Sequence, residues 1–81
     1  MKLSAVIKSR RNQLGLSQLK LAKLLGYSEP FFLSNIENGR SHFPRKKLKR
    51  LRRVLFLDDS VLVEALLNDE RDKIYKYLGL K

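Results

Sequence analysis

The chain has no cysteine and a single histidine, His42. No disulfide and no thiolate metal site can form, and a reducing compartment is permitted. A lone histidine without companion ligands in sequence supports neither a metal site nor a catalytic one. Carboxylates are scarce, 8 Asp+Glu against 18 Lys+Arg, and most of them fall after residue 57. With 4 glycines there is no glycine-rich phosphate loop. No catalytic constellation emerges, so the expectation is a protein that is not an enzyme and needs neither cofactor nor metal. Long apolar runs are also missing. The start, MKLSAVIKSR, has one lysine and then a broken apolar stretch, too short for a signal peptide or a membrane span. A cytoplasmic location without a membrane partner is therefore expected. No long alternating run suggests a sheet.

What the sequence has in excess is positive charge. Residues 1–57 hold 14 basic and 2 acidic groups, net +12, while residues 58–81 hold 4 basic and 6 acidic, net −2. Solubility needs no such asymmetry. It suits a polyanion-binding body with a separate packing or assembly element. A length of 81 residues supports one domain, divided into a core over 1–57 and a helical segment over 58–81.

Helical spacing dominates the apolar pattern. A first helix is predicted over Ser4–Leu14, with Leu3, Val6, Ile7 and Leu14 inward and Gly15 ending it. Lys8 and Arg10 read as solvated or near phosphates. The stretch Ser17–Gly39, SQLKLAKLLGYSEPFFLSNIENG, reads as two short helices around a glycine turn. Ser17 caps the first, Leu21, Ala22 and Leu25 are its buried side, and Gly26 closes it. The second is expected over about Glu29–Asn38, with Pro30 in its first turn and Phe32, Leu33 and Ile36 inward. Pro44 opens a further helix with Leu48, Leu51, Val54 and Leu55 inside. From Arg40 to Arg53, 8 of 14 residues are basic. Arg45, Lys46 and Lys47 crowd the positive end of the helix dipole, so an anion is expected beside them. After Asp58, Val63, Leu67, Ile74 and Leu78 form a stripe with Leu62 and Leu66 beside it. One long helix, or two nearly continuous ones, is expected there, either in a dimer contact or folded back on the core.

Ser17-Gln18, Leu21-Ala22, Leu25-Gly26-Tyr27-Ser28 and Ile36-Glu37-Asn38-Gly39 together resemble the Cro and phage-repressor type of helix-turn-helix, the XRE family. The resemblance covers about the first two-thirds of the chain. It implies an all-α, lambda-repressor-like bundle of about five helices, here with an additional C-terminal helical extension. It also implies a buried ion pair between Arg11 and Glu37. Between Gly26 and Leu33 the chain is one residue longer than the commonest spacing of the family.

Transferred onto matching positions, the family pattern nominates Glu29, Pro30, Phe31, Ser34 and Asn35 as base readers in the major groove. Asn35 suits adenine N6 and N7, Glu29 cytosine N4, and Phe31 either a thymine methyl or burial beside Phe32 and Tyr27. Backbone contacts fall to Ser17, Gln18, Asn38, Arg40, His42, Arg45, Lys46 and Lys47. Phe43 stands where some phage repressors place an arginine for the minor groove. The expected function is sequence-specific recognition of double-stranded DNA by a repressor-like transcriptional regulator, with a homodimer through the C-terminal segment as a possible assembly. The alternative is the same fold used as a protein-interaction module, such as an antitoxin or a polymerase-binding accessory protein.

Overall fold

The computed structural model describes residues 1–80. Among them are five α-helices and no strand: α1 Leu3–Gln13, α2 Gln18–Leu24, α3 Phe31–Glu37, α4 Leu48–Leu55 and α5 Asp59–Tyr77. A single 3-10 turn, Arg45–Lys47, leads into α4, with Pro44 just before it. Ile7, Leu21, Leu25, Leu33, Leu51 and Leu55 are wholly buried, so α1 to α4 each supply at least one side chain to one centre. α2 packs on α3, and α1 lies against α3, α4 and α5.

Each helix ends in the same way, for a stereochemical reason. A residue at the cap or just after it turns left-handed, so that two N–H groups return to carbonyls of the last turn. At α2, Gly26 N–H bonds to Lys23 O at 3.0 Å and Tyr27 N–H to Ala22 O at 2.9 Å. Gly15, Gly26, Gly39 and Gly79 serve four helices at positive φ. α4 has no glycine available, and Phe56 adopts φ 52° in its place. Phe56 N–H still reaches Arg53 O (3.3 Å) and Leu57 N–H reaches Arg52 O (3.0 Å). A Cβ in that region costs roughly 1–2 kcal/mol. The Phe56 ring is 73% exposed and recovers little of it by packing. Arg10 Nε compensates in part by donating to Leu55 O at 2.8 Å. Arg10 is therefore a structural cap of α4, not the solvated or phosphate-facing residue expected.

The predicted α1 and α2 match the observed helices to within a residue. α3 begins at Phe31, two residues later than expected, because Pro30 takes the cap position and Glu29 stays in the turn. The long helix after Asp58 is continuous. Its buried side is formed by Leu62 and Ala65, with Leu66 packed beside them. The stripe of Val63, Leu67, Ile74 and Leu78, expected either in a dimer contact or folded back on the core, faces outward and is not folded back. Apolar spacing marks a face but does not say which of two faces meets the core, and the small Ala65 proved the deeper one.

α1 lacks a side-chain cap of its own, since Lys2 occupies the cap position. Asp69, on α5, supplies one by accepting Leu3 N–H at 3.4 Å. Asn68 Nδ2 donates to Met1 O at 3.1 Å, and Lys2 pairs with Asp72. The middle of α5 is thus tied to the start of α1 by polar contacts. No helix of the described residues is long and apolar enough to cross a membrane.

Candidate nucleic-acid interface

The orientation of α3 is fixed at its last turn by a buried charge. Arg11, at the end of α1, meets Glu37 through Nε–Oε2 at 2.7 Å and Nη2–Oε1 at 3.0 Å, a two-pronged pair. Arg11 Nη1 also donates to Leu16 O at 2.7 Å, and Gln18 Nε2 to Glu37 Oε1 at 3.0 Å. Side-chain exposure is 11% for Arg11 and 2% for Glu37. Burial pushes the Glu37 carboxyl up, but the bonds from Arg11 and Gln18 and the charge of Arg11 outweigh it and hold it below the usual carboxylate range. The same bond to Glu37 raises Arg11. Three helices are therefore locked at one point. Gln18, nominated for the DNA backbone, has its amide group committed to this cluster, which leaves its carbonyl oxygen free.

The opposite end of the α2–α3 turn is held by stacking. The Tyr27 and Phe32 rings lie 4.0 Å apart at 18°, and Phe32 tilts against Phe43 at 6.0 Å. Phe43 is buried, so it belongs to the core and not to a minor-groove contact. Lys47 Nζ sits 5.2 Å over the Tyr27 ring and donates to Leu25 O, the cap residue of α2, at 3.0 Å. Its expected role is to grip a phosphate. It turns inward instead, because a free carbonyl at a helix C-terminus is a ready acceptor for a cation.

What α3 offers outward is a short polar and apolar row. With Leu33 and Ile36 buried, Phe31, Ser34, Asn35 and Asn38 fall on the opposite side, within an arc of ~100°. Phe31 is 69% exposed, so its ring is outside and not packed beside Phe32. Asn38 Nδ2 reaches Ser34 Oγ at 3.5 Å. The Asn35 side chain has no hydrogen-bond partner among the described residues, although its backbone carbonyl takes the N–H groups of Arg40 and Ser41. Glu29 and Pro30 are exposed but lie before the helix. They border the reading row without belonging to its helical face.

The remaining nominated residues flank this row. Ser17 Oγ accepts Lys20 N–H at 3.0 Å and so caps α2, while the residue stays exposed. Arg40 and His42 are exposed in the loop after α3, and Arg45 and Lys46 in the 3-10 turn. Arg50 comes close to Gly26, where an added Cβ would stand 3.8 Å from its Nη1.

A helix-turn-helix family model matches residues 7–62, a span that runs from the buried Ile7 to the buried Leu62. The chain belongs to the Cro and phage-repressor (XRE) helix-turn-helix family. Among relatives, the ImmF control region 10 kDa protein of Bacillus phage phi105 is 44% identical over 61 residues, covering 75% of this chain and 67% of that protein. No solved structure matches the chain significantly. DNA binding is the activity of this helix-turn-helix family, and α3 is the element that corresponds to its reading helix.

Sequence reasoning did not find three structural roles of polar side chains. Arg10 and Lys47 each close a helix end far away in sequence, and nothing in their neighbourhood distinguishes them from other surface cations. Asp69 does the same for α1. For Phe56 a signal existed: Leu55-Phe56-Leu57-Asp58 joins two helical stretches without a glycine, so some other residue had to take the left-handed turn.

Proposed function

We propose that the protein is a sequence-specific double-stranded DNA-binding regulator of the repressor kind, acting as a homodimer and performing no chemistry. The observation that carries this reading is the outward row of α3. Asn35 keeps a free amide and Phe31 an exposed ring, on a helix fixed from behind by Arg11 and Glu37. Asn35 suits the N6/N7 edge of adenine and Phe31 a thymine methyl. Arg40, His42, Arg45 and Lys46 supply attraction and register through phosphates, which carry no sequence information. A relative named for a phage control region supports the regulatory sense. A homodimer would read a palindrome with half-site centres one or more turns apart, each turn ~34 Å.

The test is selection from a random duplex pool at two salt concentrations, followed by sequencing. A palindromic motif whose affinity falls steeply with salt supports the proposal. Binding that is weak and motif-free at both salts overturns it.

The exposed Phe31, preceded by Pro30, favours a second reading, a protein-binding use of the same helix. An affinity for a protein partner that resists salt, with no enriched duplex, would select it.

A further inference from the structure

Phe31 stands at the middle of the outward row of α3. At 100° per residue, Ser34 and Asn38 lie to one side of it and Asn35 to the other, all within ~60°. Its ring is 69% exposed, whereas the rings of Tyr27, Phe32 and Phe43 pack on one another without it. The core therefore has no need of an aromatic at position 31. Glu29, two residues earlier, is exposed as well, and no cation pairs with it among the described residues. Only 2 acidic groups stand among the first 57 residues, and the other, Glu37, is buried against Arg11. A free carboxylate on a face that meets phosphates opposes binding unless a base edge donates to it.

We infer that these two residues together read 5-methylcytosine, with Phe31 on the C5 methyl and Glu29 accepting from N4 of the same base. This deepens the DNA reading above and rests on it. Two pyrimidines carry a C5 methyl in the major groove, thymine and 5-methylcytosine. They differ at the adjacent ring position: thymine presents the O4 acceptor, which repels a carboxylate, and 5-methylcytosine the N4 donor, which suits one. Plain cytosine satisfies Glu29 and leaves Phe31 without a methyl. An A·T pair also holds a donor and a methyl, but on different bases and with O4 between them. Only the methylated cytosine answers both side chains from neighbouring ring atoms. The spacing suits a single base. Pro30 holds a turned backbone, φ −77° and ψ −13°, and two residues span at most ~7 Å.

The test uses the full chain and two random duplex pools, one with ordinary cytosine and one with 5-methylcytosine throughout. Selected sites are then compared as single duplexes carrying cytosine, 5-methylcytosine or thymine, with the matching partner base, at each pyrimidine position. One position should bind about fourfold tighter with 5-methylcytosine than with cytosine, the worth of one buried methyl. It should also bind about tenfold tighter with 5-methylcytosine than with thymine. In F31A the methyl should make no difference there. In E29Q the preference over thymine should collapse, because a glutamine amide can turn its N–H toward O4. Both positions are exposed, and helical circular dichroism checks that the variants fold. Sites at which methylation never tightens binding overturn the inference and leave the DNA reading standing. A position where thymine binds as well as 5-methylcytosine removes Glu29 and overturns it too, as does a methyl gain that survives F31A. No enriched motif from either pool overturns the DNA reading and this inference with it.

Discussion

Lys47 Nζ donates to the carbonyl of Leu25, 22 residues earlier, and so closes the end of α2 from the far side of the helix-turn-helix. Its charge is directed into the protein while that of its neighbour Lys46 is directed out. Lys47→Met should lower stability by about 1 kcal/mol through loss of this bond. Lys46→Ala should leave stability unchanged, weaken every duplex alike and reduce the salt slope by about one unit. Urea melts and salt titrations of both variants check this. A Lys47 variant of unchanged stability with a reduced salt slope would mean that the lysine swings out onto a phosphate.

Asn35→Ala should relax discrimination at one base pair by ~1–3 kcal/mol and leave the salt slope alone. Competition among duplexes differing at single positions measures it. An equal loss on all sequences would remove Asn35 from the reading set.

The fold is legible in the sequence where local chemistry decides it. Ser17 announces the start of α2, and the glycines announce the ends of most helices. Arg11 and Glu37 are paired through their resemblance to a family, since no spacing rule joins residues 26 apart. What escapes is decided by tertiary approach. Lys46 and Lys47 are identical in sequence terms, yet only one lies within reach of a carbonyl. On α5 a good apolar stripe and a modest one compete for the core. The core takes the modest one, because Ala65 lets α5 approach closely. The predicted start of α3 is too early because Pro30 can serve inside the first turn or just before it.

The buried pair sets an acid limit. Glu37 has a folded-state pKa below its unfolded value, so its contribution is fully present above the unfolded pKa, near ~4.3, and is lost as pH falls through the folded one. Stability of the wild type should fall below about pH 4.5 more steeply than that of Glu37→Gln. At neutral pH that variant should be weaker, because Arg11 is left buried without a countercharge. Denaturant midpoints from pH 7 to pH 3 test both statements, and parallel curves for the two proteins would contradict them.

Phe56 gives the opposite kind of variant. Phe56→Gly relieves a left-handed Cβ and should gain about 1 kcal/mol, raising Tm by several degrees. Calorimetry decides the sign. A loss of stability would mean that the exposed ring packs in solution more closely than its 73% exposure indicates.

Asp69 accepts the amide of Leu3 across 66 positions of chain. The unpaired amide at the start of α1 therefore gains its side-chain acceptor only once α5 has docked, whereas the first turn itself is closed locally by Val6 N–H to Lys2 O at 3.0 Å. Contacts that close so long a loop come late and at an entropic cost. Refolding should show α2, α3 and their turn acquiring protection from hydrogen exchange before the Leu3 amide at the start of α1. The reading head can assemble while the clasp joining α1 and α5 is still open.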